Sequence, residues 1–371
     1  MTESGEDTAA AVVGRDLDSI CEGLRDELPL LSGARLLILG GAGFLGHYLV
    51  QAAVHASERL PEPIDLHVYD NYARGVPAWL SALEGRPGVT LRRHDVVEPL
   101  PEDLGAFDYV IHAASIASPT FYRRFPIETM DANVTGLRRL LDYASGAAGS
   151  ALKSILYFST SEIYGDPDPA NIPTRETYRG LVSSTGPRAC YDESKRYGET
   201  LCVNFARERS VPVTMARPFN NYGPGLKLTD RRVLPDLVRD VLAGRNITLL
   251  SDGRPTRTFC YVADAVTGYY KVLLRGRPGE PYNIGIETPE ISMRELAETV
   301  ARSARDIFGY RGEVVVAESN DADYLTDNPN RRCPDITKAR TELGFAPEVA
   351  LDDGIRRSLI WYRENAHGED S

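Results

Sequence analysis

Arg35-Leu36-Leu37-Ile38-Leu39 runs straight into Gly40-Gly41-Ala42-Gly43-Phe44-Leu45-Gly46, and the residues from Phe44 to His55 are apolar at helical spacing. Leu36 to Leu39 are apolar without a break, which fits a strand buried on both faces. The glycines at 40, 43 and 46 give G-x-x-G-x-x-G. Such a loop lets the backbone approach a pyrophosphate, and the helix behind it offers free N–H groups and the positive end of its dipole. A second apolar run, residues 64–69, ends at Asp70, 24 residues beyond Gly46. A carboxylate there can accept hydrogen bonds from ribose hydroxyls and repels a 2′-phosphate, so the pattern favours NAD over NADP. Arg74 keeps NADP open.

Further apolar runs lie at residues 89–93, 109–112, 154–158 and 211–216, with helical patterns between them at 127–143 and 192–209. Strands alternating with helices argue for an α/β fold, a Rossmann-type doubly wound parallel sheet over residues 34–217. After Arg217 the texture changes at Pro218, Gly223, Pro224 and Gly225. Helical patterns at 233–242, 291–307 and 351–362 with short strands at 248–250 and 313–317 predict a smaller C-terminal α/β substrate domain, residues 218–371. Residues 282–286 are expected to return a strand to the large sheet, so the two domains interleave near 256–286. Residues 1–33 read as an extension: the first dozen are expected to be disordered, and 16–30 to form an amphipathic helix with Leu17, Ile20, Leu24 and Leu28 inward.

Composition narrows the function. The 371 residues carry 42 Lys+Arg against 53 Asp+Glu, a net charge of −11. That makes a poor general binder of nucleic acid or of an anionic membrane. Five scattered cysteines with no CxxC spacing signal neither a disulfide framework nor a zinc site, and the six histidines contain no HExxH, so no metal is expected. The acidic N-terminus lacks a secretory pattern and no apolar run is long enough to span a membrane. The expectation is a cytoplasmic protein.

Tyr191 and Lys195 lie four apart at the head of a predicted helix and share a face. Five lysines and 19 tyrosines in 371 positions would give roughly a quarter of such a pair by chance, so its place after the fifth strand carries the weight. A phenol is a poor base at neutral pH, but a nearby ammonium and a positive nicotinamide ring favour phenolate, which can take a hydroxyl proton as hydride leaves the same carbon. The strand at 154–158 leads into Ser159-Thr160-Ser161-Glu162, placing a hydroxyl and a carboxylate at a carboxyl end of the sheet, where ligands bind.

Together these residues resemble the extended short-chain dehydrogenase/reductase family of nucleotide-sugar enzymes, over about residues 35–362. The nearest resemblance is to its UDP-glucuronate decarboxylase branch, carried by His94-Asp95-Val96-Val97-Glu98-Pro99-Leu100, Ala117-Ser118-Pro119, Thr160-Ser161-Glu162, Thr256-Arg257 with Phe259, Pro334-Asp335-Ile336 and above all Pro187-Arg188-Ala189-Cys190-Tyr191-Asp192-Glu193-Ser194-Lys195-Arg196. The resemblance implies that Gly40, Gly43, Phe44, Leu45, Gly46, Asp70 and Asn71 hold the adenosine diphosphate part of NAD. Asp95 and Val96 would flank the adenine, and Ala114 and Ser115 would line the cofactor path. Thr160, Tyr191 and Lys195 would carry hydride transfer, with Glu162 and Arg257 managing the carboxylate and the C5 proton. Tyr122, Ser161, Arg188, Asn220, Arg232, Arg257 and Arg332 would bind the UDP-sugar.

The resemblance also separates sister reactions. A 4,6-dehydratase typically places an Asp between the Thr and Glu of this strand end, where Ser161 stands here. A 4-epimerase usually has no carboxylate at the Glu162 position. Thr-Ser-Glu therefore favours decarboxylation of UDP-glucuronate through a 4-keto intermediate, to UDP-xylose or UDP-4-keto-pentose, with the epimerase, the dehydratase and a non-catalytic NAD-sensing protein as alternatives. Relatives usually dimerise through two helices per subunit, here 127–143 and 192–209, so a homodimer is expected.

Overall fold

The computed structural model describes residues 8–317, 326 and 329–366. Its centre is a sheet of seven strands, all parallel: β1 (Arg35–Leu39), β2 (Asp65–Asp70), β3 (Val89–Arg93), β4 (Tyr109–His112), β5 (Ser154–Phe158), β6 (Val213–Pro218) and β7 (Pro281–Ile284). The spatial order is β3-β2-β1-β4-β5-β6-β7. The chain reverses direction across the sheet between β1 and β4, and the crevice at such a switch point is where open parallel sheets bind ligands.

Strand alternation divides the core. Leu36 and Ile38 face one layer with Tyr48 and Leu49 of a helix at Phe44–Ser57 and Val266 and Leu273 of one at Val262–Arg275. Leu37 and Leu39 face the other with Leu140 and Leu141 of the Leu137–Ser145 helix and Phe205 of the Ala189–Arg209 helix. Both faces being covered explains why these strands are continuous apolar runs rather than alternating ones. The expected return strand is present, with Tyr282 opposite Ala216 and Asn283 opposite Arg217.

Two glycines fix the tight turn between β1 and its helix. Gly40 sits at φ +83°, and a Cβ there would come within 2.5 Å of the Ala114 backbone. A Cβ on Gly46 would stand 2.2 Å from the Gly41 carbonyl oxygen, so only glycine lets the helix start this close to the strand.

Two expectations are corrected. The N-terminal helix spans Ala9–Gly23 rather than 16–30, and residues 9–12, expected to be disordered, are its first turn. Thr8 starts it by accepting a hydrogen bond from the Ala11 N–H at 3.1 Å. Leu17, Ile20 and Leu24 face inward as expected, but the helix ends with Leu24 as its cap, and residues 28–31 form a separate 3-10 turn with Pro29 near its start. Residues 1–7 lie outside the described residues. The pattern at 127–143 is also not one regular helix: it contains a π-turn, Ala132–Gly136, between helices at Pro126–Asp131 and Leu137–Ser145.

Candidate active site

The crevice between β1 and β4 collects the residues expected to hold a dinucleotide. Gly43 caps the Phe44–Ser57 helix without a side chain, and the nearest atom to a Cβ there is 3.7 Å away, leaving open space before the first turn, Phe44, Leu45 and Gly46. Asp70 ends β2, where one carboxylate oxygen accepts from the Ala42 N–H at 3.0 Å and the other from the Tyr72 N–H at 2.8 Å. These bonds fix the carboxylate against the glycine loop with lone pairs to spare. Asn71 donates to Asp95 at 3.0 Å, and Val96 is buried against Gly136. Ala114 lies beneath the loop at Gly40. Arg74, the residue that left NADP open, is occupied: it pairs with Asp230 and donates to Thr229 at 2.9 Å. The open space before the helix, the oriented carboxylate and the absence of a free cation at Arg74 fit NAD.

The residues expected to carry hydride transfer stand beyond the end of β5. Lys195 is buried and donates from Nζ to the Phe158 carbonyl at 2.7 Å. Its ammonium lies 5.9 Å from the centre of the Tyr191 ring. Burial pushes the Tyr191 phenol up to about 12, against a hydrogen bond with Thr160 and the field of Arg232, which both pull it down. Burial likewise pulls Lys195 down to about 7. Thr160 caps the turn at Ser161–Tyr164 by accepting from the Glu162 N–H at 3.2 Å. Ser161 is buried in that turn.

Glu162 is gripped from two sides. Arg188 donates to one carboxylate oxygen at 2.5 Å, and Arg332 bonds both oxygens, Nη2 to Oε2 at 2.6 Å. Burial alone would raise its pKa, but Arg188 and Arg332 override burial and hold the carboxyl well below the usual carboxylate range. Glu162 is thereby held as a carboxylate, able to accept a hydrogen bond from a ligand or a water. Arg257 and Arg332 sit opposite each other on neighbouring strands, two like charges side by side. Burial, then repulsion from Arg332, brings Arg257 down to about 9, and its Nη atoms donate to the carbonyls of Thr256, Asn330 and Pro329 at 2.7, 3.2 and 2.5 Å. Two guanidinium groups thus hold the Glu162 carboxylate, Arg257 stands beside Arg332 on the neighbouring strand, and Asp192 lies 3.8 Å from Arg188, so the centre is densely charged with guanidinium donors suited to a carboxylate or phosphate.

The remaining expected residues are placed around this centre. Tyr122 stacks on Tyr191, with ring centres 5.0 Å apart and planes within 10°. Arg232 donates to the Ala117 carbonyl at 3.0 Å. Asn220 takes a left-handed conformation, φ +37°, and donates to the Thr258 carbonyl at 3.1 Å.

Sequence reasoning missed Asn133. It is fully buried in the π-turn, donates to Ser194 at 2.9 Å and accepts from Ser115 at 2.7 Å, so it ties the helix carrying Tyr191 to the loop after β4. The available signal was an asparagine one turn before Leu137 on the apolar face of a predicted helix. Asp230 was missed as well: besides pairing with Arg74, its carbonyl accepts from Ser118 at 2.9 Å, so residues 227–232 bridge the β2 and β4 sides of the crevice.

Known proteins resemble this chain along most of its length. A UDP-glucuronic acid decarboxylase from Arabidopsis thaliana is 39% identical over 332 residues, 90% of either chain. One from Xenopus tropicalis is 35% identical, covering 89% of this chain and 72% of its own. A crystal structure of a dTDP-glucose 4,6-dehydratase from Streptomyces venezuelae with NAD bound superposes with a TM-score of 0.76 at 27% identity, covering 90% of this chain and 98% of that one. Residues 36–285 match the model of the NAD dependent epimerase/dehydratase family, and the chain belongs to that family.

Proposed function

We propose that the protein decarboxylates UDP-glucuronate through a 4-keto intermediate, releasing UDP-xylose or UDP-4-keto-pentose. The observation that carries this reading is the arginine cluster around Glu162, set beside the Tyr191–Thr160 pair. A neutral hexose gives a group of guanidinium donors nothing ionic to bind at its C5 substituent, whereas a hexuronate brings a carboxylate there. Ser161 stands where a dehydratase would need an acid for a leaving hydroxyl. The curated relatives named UDP-glucuronic acid decarboxylase support the same assignment.

Gly40, Gly43, Phe44, Leu45, Gly46, Asp70, Asn71, Asp95, Val96 and Ala114 hold NAD in this proposal, with Tyr191 and Lys195 beside its reactive end. NAD supplies reversible hydride acceptance at C4. Tyr191 takes the C4 hydroxyl proton with Thr160 sharing it, and Lys195 orients that end of the crevice and lends positive charge. Ionisation of the tyrosine runs against burial, so it requires the positive field of an occupied site. Arg257 and Arg332 receive the hexuronate carboxylate, with Arg188 and Tyr122 alongside. A carboxylate β to a C4 ketone leaves readily as CO₂, because the electron pair is delocalised as an enolate. Ser161, Asn220 and Arg232 complete the sugar-nucleotide site.

The test is incubation with UDP-glucuronate and NAD⁺ followed by mass measurement. Loss of the mass of CO₂ is expected; an isomer of unchanged mass would sink the reading in favour of a 4-epimerase.

The proposal extends to organisation. Residues 34–217 form the NAD-binding domain and 218–371 mainly the substrate domain. The chain forms a homodimer, supported by exposed apolar side chains on the expected helices: Ile127 is 63% exposed, with Met130 and Tyr197 also bare. Cytoplasmic placement is supported by five free cysteines, four of them buried. Among the described residues, no helix is long and apolar enough to cross a membrane.

A further inference from the structure

We propose that Arg217 is a positioning residue for the reaction: it fixes the turn that carries Thr160 and Glu162 against the helix that carries Tyr191 and Lys195. The inference rests on the decarboxylase reading above, which assigns those four side chains to one reaction.

Arg217 stands on β6 with its side chain buried, and its planar fork reaches two elements at once. Nε and Nη2 donate to the two carboxylate oxygens of Glu199 at 2.8 and 2.6 Å. Glu199 lies four residues beyond Lys195 and eight beyond Tyr191, on the same side of the Ala189–Arg209 helix. Nη1 donates to the Tyr164 hydroxyl at 2.7 Å and to the Glu176 carbonyl at 2.9 Å. Tyr164 ends the turn that Thr160 caps, two residues after Glu162. Its hydroxyl carries the connection onward, donating to Asn283 Oδ1 on β7 at 2.7 Å. Asn283 Nδ2 donates in turn to the carbonyls of Thr174 and Asp335 at 2.9 and 3.0 Å. The Thr174 N–H donates to the carbonyl of Cys333, the neighbour of Arg332, at 2.8 Å. One guanidinium thus joins the segments that carry Tyr191 and Lys195, Thr160 and Glu162, and Arg332. None of its four bonds goes to any of those five side chains, so it acts on them through others.

Stability does not account for this arrangement. A buried ion pair repays its desolvation poorly, and apolar residues of similar volume in its place are often neutral or stabilising. What the pair supplies and apolar residues do not is direction, because a planar fork fixes the orientation of its partners as well as their distance. The reaction needs that direction. Proton removal at the C4 hydroxyl and loss of the carboxylate occur at neighbouring parts of one sugar, served by residues from separate elements. A misplacement of about 1 Å between such groups costs about 100-fold in rate.

The test compares the full-length protein with the double variant Arg217→Met, Glu199→Met and with Tyr164→Phe, which removes only the hydroxyl between Arg217 and Asn283. Unfolding midpoint, NAD affinity and kcat with UDP-glucuronate are measured for each. The double variant should keep its midpoint and its NAD affinity, since the glycine loop and Asp70 lie outside the network, while kcat falls about 100-fold. Tyr164→Phe should show a smaller fall in kcat of the same kind. Wild-type kcat in a double variant that keeps its midpoint overturns the proposal. If the double variant loses its midpoint, Tyr164→Phe decides. A reduced kcat at an intact midpoint upholds the proposal; wild-type kcat, or a kcat that falls only together with the midpoint, overturns it. A wild type that releases no CO₂ removes the decarboxylase reading and this inference with it, whereas normal wild-type turnover with unimpaired variants removes the inference alone.

Discussion

At the scale of single residues, burial sets the chemistry of the site before any ligand arrives. Tyr191 is pushed up to about 12 and Lys195 down to about 7 by the same desolvation. For Tyr191 the consequence is dependence on an occupied site, and Tyr191→Phe should lower turnover by at least about 100-fold while NAD still binds, measured by titration alongside product formation. For Lys195 it is a pH dependence of stability. An unfolded lysine keeps its proton up to about pH 10.4, whereas the buried one releases it near 7. Between those values the unfolded chain binds the extra proton, so this residue's contribution falls as pH drops from 10 towards 7 and is level below that. Lys195→Met removes the difference. In chemical denaturation of the cofactor-free protein, the variant's stability relative to wild type should rise as pH is lowered over that window; a constant difference would contradict the buried lysine.

The Glu162 clamp gives a further residue-scale expectation. Arg332 is buried and makes two bonds to Glu162. Removing one partner of a buried pair costs about 3–5 kcal/mol when the other charge is left alone, and less here because Arg188 still bonds Glu162. Arg332→Ala should therefore lower the denaturation midpoint as well as weaken substrate binding. The double variant Arg332→Ala with Glu162→Gln leaves buried Arg188 with only Asp192, at 3.8 Å, as an ionic partner among the described residues, so it should not recover the midpoint; a midpoint restored to the wild-type value would show that Arg188 does not need Glu162.

At the scale of elements, strands β1, β4 and β5 were readable because each is an apolar run closed by a polar or glycine boundary, whereas β3, expected as a buried strand, is a half-exposed edge strand, Val-Thr-Leu-Arg-Arg. Of the site, the glycine loop, Asp70 and the Tyr191–Lys195 pair were readable because local spacing fixes them. Asn133 and Asp230 were not, because their partners lie 61 and 156 positions away in the chain. The N-terminal helix failed for a related reason. Its apolar spacing continues past Gly23, so periodicity alone does not say where it stops. Asp16 is in fact fully buried in mid-helix, accepting from the hydroxyls of Tyr48 and Tyr261 at 2.6 Å each and from Arg357 at 2.8 Å. Tyr48 belongs to the helix behind the glycine loop, and Tyr261 lies four residues beyond Arg257. The helix thus joins the cofactor side to the arm that carries the arginine cluster. Asp16→Ala strands two buried phenols at about 1–3 kcal/mol each, so it should destabilise by about 2–6 kcal/mol. An unchanged unfolding midpoint would remove Asp16 from that role.

At the scale of the whole molecule, a net charge of −11 seemed to argue against anionic partners, yet the proposed substrate is strongly anionic. The average conceals a segregated distribution: Arg188 and Arg332 both bond Glu162, and Arg257 stands beside Arg332 on the next strand. The surface has its own segregation. Ile127, Met130 and Tyr197 are exposed on the Pro126–Asp131 and Ala189–Arg209 helices, which pack against each other. The second of these helices carries Tyr191 and Lys195, so a partner seated on this face would buttress the reacting residues from behind. Ile127→Glu places a charge at the middle of that face without touching the crevice. It should convert a dimer into a monomer in sedimentation equilibrium at micromolar concentration, with turnover reduced through loss of support. A wild-type protein that sediments as a monomer would leave these side chains without a partner and remove the basis for the coupling.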